Sequence, residues 1–321
     1  MKAAIYTPYL DTLGGGERYI LSAAKAISQA GYSVYLESSD KLILQKAKNR
    51  FGMDFSEIKL ADSVNRGDGF DVCLWLSDGS IPALKARKNI LHFQRPFYKV
   101  GGKSLINRAK FFRIKEVIVN SHFTKKWIDQ EFPVSAKVIY PPVDTEKFKS
   151  RKKEKLILYV GRFSQLEQSK RQDILITAFK KFYKMDNRDY RLVLAGGSEV
   201  GRTEYVDNLY QEAKSYPIEI LENPEFGKLK ELFGKAMFFW SAAGYGADEN
   251  KHPEKVEHFG IAPVEAMSAG VIPEDCATLC QIIALGTYII CQPFFLILTE
   301  SSRSSKYIKY PSSYNPAFLS A

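Results

Sequence analysis

Two glutamates eight residues apart, Glu257 and Glu265, bracket the most informative stretch of this 321-residue chain: Glu257-His258-Phe259-Gly260-Ile261-Ala262-Pro263-Val264-Glu265-Ala266-Met267-Ser268-Ala269-Gly270. The glycine and proline between them predict a turn that opens a helix. One carboxylate can then face a sugar in a cleft while the other reaches a ribose diol, with Phe259 as the aromatic at the turn. Amides near Gly260 and Ile261 fall at the helix N-terminus, where the partial positive charge favours a diphosphate. The plain alternative is a surface helix with two ordinary glutamates.

Three further places carry residue types suited to the same chemistry. In Val160-Gly161-Arg162-Phe163 and at Lys170, an arginine fork and a lysine point charge can converge on a diphosphate, or be two solvated loop cations. Gly14-Gly15-Gly16-Glu17 lets backbone N–H groups, chiefly those of Gly15 and Gly16, approach a phosphate or sugar oxygen closely, or forms a plain tight turn. His92, in Leu91-His92-Phe93-Gln94-Arg95-Pro96, ends an apolar run and is the candidate polar group beside the reacting centre. A satisfied structural histidine is its alternative.

These residues need elements to hold them. Lys2–Tyr9 is apolar, Glu17–Ala30 has helical periodicity, and Ser33–Glu37 is strand-like, a β-α-β unit. Further runs at Val72–Leu76, Asn89–Phe93 and Val117–Val119 predict a mostly parallel sheet covered on both faces. The pattern stops at Tyr140-Pro141-Pro142-Val143-Asp144 and resumes at Leu156–Val160 with a second strand-helix alternation. The fold class is therefore α/β, with two Rossmann-like, doubly wound lobes facing a cleft, residues 1–145 and residues 146–273. Such sheets bind ligands at the carboxyl ends of their strands.

The ordered set of motifs resembles glycosyltransferase family 4, retaining transferases of GT-B fold. It runs from Gly14-Gly15-Gly16-Glu17-Arg18 through Asn120-Ser121-His122-Phe123-Thr124-Lys125, Tyr140-Pro141-Pro142-Val143-Asp144, Val160-Gly161-Arg162-Phe163 and Ser169-Lys170-Arg171-Gln172-Asp173 to the Glu257–Gly270 block. The resemblance implies a nucleoside-diphosphate sugar, GDP-mannose or a UDP-sugar, held mainly by the donor-binding lobe 146–273 opposite the acceptor-side lobe 1–145, with Arg162 and Lys170 on the diphosphate, Glu265 on the ribose hydroxyls and Glu257 on the sugar. It implies no metal and no cofactor beyond this donor, because cations and the helix dipole neutralise the leaving group. The glycine motif together with Glu257-His258-Phe259-Gly260 looks like mannosyltransferase members.

Composition narrows the partners. The formal net charge is +10, and Lys99, Lys103, Arg108, Lys110, Arg113, Lys115, Lys125 and Lys126 face only Glu116 in their interval. Such a surface suits anionic lipid or a phosphate-bearing, lipid-linked or saccharide acceptor, or is simply a solvated face. No zinc-finger spacing or RNA-binding motif supports nucleic acid. The start lacks a signal-peptide pattern, so a cytoplasmic site at the inner face of a membrane is expected. Cys73, Cys276, Cys280 and Cys291 lack disulfide-scaffold spacing and read as reduced thiols.

From about residue 274 the chain departs from the family, leaving the second lobe incomplete. Cys276–Thr299 has no charged residue, and Ser301–Ala321 is rich in serine, tyrosine and proline. A shifted reading frame or truncated gene, a membrane-anchoring helix and a buried replacement pair of elements are the three readings of this tail. Two rivals to sugar transfer also stand: a non-catalytic nucleotide-sugar-binding or assembly protein of the same fold, and a nicotinamide-dependent oxidoreductase using Gly14-Gly15-Gly16 and Glu37. The last is weakened by Tyr19, which stands where that fingerprint has its third glycine.

Overall fold

The computed structural model describes residues 1–10, 13–164, 169–198 and 204–274. The expectations for Cys276, Cys280, Cys291 and the tail beyond Glu274 lie outside these residues. Cys73 is buried as a free thiol, and burial pushes its pKa up to about 12.

The first lobe alternates β1 (Lys2–Tyr6), α1 (Gly15–Gln29), β2 (Ser33–Glu37), α2 (Ile43–Phe51), β3 (Lys59–Ala61), β4 (Val72–Leu76), β5 (Lys88–Phe93), α3 (Leu105–Phe111), β6 (Ile114–Val119), α4 (His122–Glu131) and β7 (Lys137–Val138). Its seven strands are all parallel, in the order β3-β2-β1-β4-β5-β6-β7. Ala3, Ala4 and Ile5 of β1 are wholly buried, as a central strand covered on both faces requires. The order reverses direction between β1 and β4, which opens a crevice at their carboxyl ends.

The second lobe repeats the plan with β8 (Leu156–Val160), α5 (Gln172–Lys184), β9 (Arg191–Gly196), α6 (Glu204–Ala213), β10 (Ile218–Glu222), α7 (Phe226–Lys235), β11 (Phe238–Trp240), α8 (Ile261–Ser268) and β12 (Ile272–Glu274). Its parallel order is β10-β9-β8-β11-β12, with the reversal between β8 and β11. An aromatic cluster of Phe179, Phe182, Phe233, Phe239 and Trp240 fills its core. The α/β, GT-B architecture expected from the sequence is the one observed.

Between the lobes the chain runs from Val138 to Leu156. Phe148 already packs in the second core, while the Lys147 ammonium donates back to the Gly52 carbonyl at 3.2 Å. Tyr19 Oη of α1 donates to the Ile139 carbonyl at 2.5 Å, tying the connection to the helix that follows the glycines. Among the described residues, no helix is long and apolar enough to cross a membrane.

Candidate functional site

The triple glycine is less a loop than a helix start. Gly14 is the N-cap of α1, and Gly15 and Gly16 form its first turn. Glu17 folds back so that its carboxylate accepts the Gly14 N–H at 2.9 Å, satisfying one of the orphan donors of the helix end. A Cβ on Gly16 would stand 2.5 Å from Gln94 Oε1, and one on Gly15 would stand 3.2 Å from Ile261 Cδ1 in the other lobe. Side chains thus approach the backbone closely at both positions, more tightly at Gly16 than at Gly15.

Opposite, Gly260 caps α8 with φ +76°, a left-handed backbone that glycine adopts without strain. No side chain caps this helix, and Pro263 in its first turn has no N–H to satisfy. Gly260, Ile261 and Ala262 of this turn line the space between the lobes. A cavity of about 940 Å³ lies there, within the usual range for a ligand site. Its walls include Gly15, Gly16, Arg162, Lys170, Glu257, Phe259, Gly260, Ile261 and Glu265.

Both glutamates are engaged by cations. Lys170 Nζ donates to Glu257 Oε2 at 2.7 Å. Burial pushes the Glu257 carboxyl up, but the Lys170 charge and hydrogen bond, with His258 nearby, outweigh it and hold the group below its ordinary range. Glu265 is buried on α8 and pairs with Arg18 of α1, an ion pair that joins the lobes. Here burial wins over the arginine, and the carboxyl lies above its ordinary range.

His92 is the sequence candidate that the cavity does not include. It is 1% exposed, its Nδ1 donates to the Ile118 carbonyl at 3.2 Å, and the Tyr19 ring packs edge-on against it at 4.7 Å. Tyr19 lines the cavity, so His92 stands one layer behind the wall. Burial lowers its pKa to about 4, which keeps the ring neutral. His258 is likewise held at about 4 by burial, and its Nε2 donates to the Pro253 carbonyl at 3.1 Å.

The cavity also includes residues that the sequence reading did not single out: Arg18, Arg50, Ser77, Gln94, Arg95 and Asn120. Ser77, Gln94 and Asn120 each follow directly on the carboxyl end of a parallel strand, β4, β5 and β6. The rule that ligands sit at those ends, applied residue by residue, would have found them. Gln94 Nε2 donates to the Gly16 carbonyl at 2.9 Å, and Asn120 Nδ2 donates to the Gln94 carbonyl at 2.6 Å, so they form a chain beside α1.

Similarity to known proteins points to sugar transfer. The profile of the family described as "Glycosyl transferases group 1" matches residues 142–273. The chain is similar to "Alpha-1,3/1,6-mannosyltransferase ALG2" of Yarrowia lipolytica, 25% identical over 83% of this chain and 75% of the relative. The protein of the same description from Kluyveromyces lactis is 27% identical over 84% of this chain and 68% of the relative. The chain is a glycosyltransferase of GT-B fold. Its fold also matches a sucrose-phosphate synthase from Thermosynechococcus elongatus (TM-score 0.59, 14% identity, 86% of this chain and 81% of that one). AviGT4, a glycosyltransferase involved in avilamycin A biosynthesis, gives a TM-score of 0.55 at 16% identity over 88% of this chain and 81% of that one.

The nicotinamide alternative for this glycosyltransferase loses its main support. Glu37, its supposed ribose partner, accepts the Val64 N–H at 2.7 Å and the Ser63 hydroxyl at 3.3 Å. That carboxylate holds the loop after β3. It does not line the cavity.

Proposed function

We propose that this glycosyltransferase moves mannose from a nucleoside-diphosphate sugar to a hydroxyl of a lipid-linked saccharide, with retention at the anomeric carbon, at the cytoplasmic face of a membrane. One observation carries the reading: both glutamates, Arg162, Lys170 and the open N-terminus of α8 meet in one cavity, across from Gly15 and Gly16. Mannose is the sugar named in the description of both fungal relatives.

In this reading the diphosphate lies against the amides of Gly260, Ile261 and Ala262, between Arg162 and Lys170. The bond from the anomeric carbon to the phosphate oxygen breaks, and its electron pair stays on the diphosphate. The acceptor oxygen bonds to the same face of that carbon while its proton passes to the departing phosphate. Preorganised cations and helix amides supply the stabilisation, with no metal in the scheme. Glu257 holds the sugar hydroxyls, its charge kept available by Lys170. Glu265 reaches the ribose once it exchanges Arg18 for the diol.

GDP-mannose and UDP-sugars titrated separately against the full chain, followed by transfer of labelled sugar to a lipid-linked mannosyl acceptor, test the reading. Tight binding of GDP-mannose and an α-linked product are expected. Binding of neither class of nucleotide sugar would sink it, and binding without transfer or hydrolysis would turn the protein into a non-catalytic binder.

A further inference from the structure

Helices usually hide one face. In α3 no residue is buried, and the apolar side chains on and around it are among the most exposed of the molecule: Leu105 is 83% exposed, Ile106 70% and Phe112 90%. Leu105, Ala109 and Phe112 fall at i, i+4 and i+7, one stripe along the helix, with Ile106 beside it. Phe111, on the opposite side, is the inward anchor and packs against Phe132 at 6.1 Å between ring centres. The stripe therefore faces out because the other side of the helix is already attached to the core.

Charge around that stripe is predominantly basic, and the nearby Glu131 carboxylate is occupied by the Lys99, Val100 and Gly102 N–H groups. Residues 99–116 contain six basic residues and a single acid, Glu116, which lies 3.8 Å from Lys88. Lys103, just before the helix, and Lys115, beyond it at the start of β6, are both exposed. The structure trims the basic interval read from the sequence, since Lys125 is occupied by Asp129 at 2.6 Å and by the Ala136 carbonyl. What remains is an apolar ridge bordered by lysine and arginine.

We infer that α3 and its flanking residues form a docking surface for an anionic lipid bilayer, with Leu105, Ile106 and Phe112 entering the headgroup boundary. Apolar side chains at that depth and basic ones at the phosphates are the combination that interfacial helices use. A protein partner fits less well, because the centres of protein interfaces are depleted in lysine. The segment before α3 joins this surface to the cavity: Arg95 lines the wall, and Tyr98 Oη donates to the Lys251 carbonyl of the other lobe at 2.8 Å. The inference deepens the proposed reaction and rests on it for purpose, since a lipid-linked acceptor must be met at a membrane.

Sedimentation of the full chain with phosphatidylcholine vesicles, with and without about a third phosphatidylserine, tests it. Binding is expected only to the anionic vesicles and to weaken steeply with salt. Leu105→Ser with Phe112→Ser should lower that partition at least about tenfold, and Lys103→Glu with Lys115→Glu about as much. Unfolding midpoints and donor binding should stay unchanged in both, and the charge pair serves alone if the apolar pair folds poorly. Wild-type binding that ignores lipid charge, variants that sediment as the wild type does, or a dimer that the serine variant dissociates without any vesicle binding would each overturn the inference. Because vesicle binding is measured without donor, its failure is distinct from failure of the sugar-transfer reading.

Discussion

Lys170 and Glu257 both belong to the second lobe, and Glu257 keeps part of its surface in solvent, whereas Arg18 and Glu265 come from different lobes and are both nearly shut off from it. The two carboxyls respond in opposite senses. Glu257 is held below its ordinary range, because its lysine outweighs the burial; Glu265 lies above, because burial outweighs its arginine. An ion pair within one lobe can remain while ligands come and go. A pair that bridges the lobes ties one to the other, and in the proposed reaction its partners must separate before a ribose can take the arginine's place.

Removing the charge of Glu257 is the hardest test of this contrast. Glu257→Gln should lower kcat/KM about 10²- to 10³-fold, the scale found when one preorganised group at a reacting centre is lost. Steady-state transfer assays read it, and an unchanged unfolding midpoint should accompany it. Near-normal turnover would mean that the pair within the lobe is only structural.

Breaking the pair between lobes should show in stability first. Arg18→Ala leaves Glu265 buried without its partner, a change expected to cost about 3 kcal/mol in denaturant unfolding. Arg18→Leu with Glu265→Leu should recover most of that loss. If both variants unfold alike, the pair is not the contact that holds the lobes together.

Acid sharpens the comparison from another side, because His258 lies against the Lys170–Glu257 pair while His92 lies behind α1, the helix that carries Arg18. Each is held neutral at about 4, below the ordinary histidine value near 6.5. Protonation therefore favours the unfolded chain: stability is complete above about pH 6.5 and is lost as pH falls toward about 4, by up to about 1.4 kcal/mol per unit for each histidine. His92→Phe should flatten that slope and leave turnover at neutral pH within about threefold, given its place behind Tyr19. A large loss of kcat with an intact fold would return His92 to the reacting centre.

The smallest effect is expected at the meeting point of the lobes. Gly15→Ala should cost under about 1 kcal/mol of stability, since Ile261 Cδ1 is a flexible end, yet raise the donor KM several-fold by wedging the closed state. Donor titration beside unfolding measures both.

Much of this arrangement was legible in the chain. Long buried strands such as β8 and the glutamate block announced themselves through continuous apolar runs and through a glycine and proline at set positions. The edge strands β3 and β7 did not, because three and two residues carry too little pattern to exceed the noise of a loop. The three-residue β12 also escaped notice, lying where the family resemblance ends. Arg18 stood in a quoted motif without a role, since its partner is 247 residues away and only tertiary structure brings them together. His92 shows the reverse error. A polar residue at a strand end suggests a site, but the Tyr19 ring that covers it comes from another element and leaves no trace in the local sequence.

The close approach of Gly15 and Ile261 bears on what the enzyme can hold. At that point the two halves meet backbone against the tip of the Ile261 side chain, leaving little room beyond what that tip can yield. The spacing of the two walls beside this contact is therefore set largely by the main chain of the glycine turn. A ligand of the right depth seats both walls at once, while a thinner one leaves the far wall out of reach.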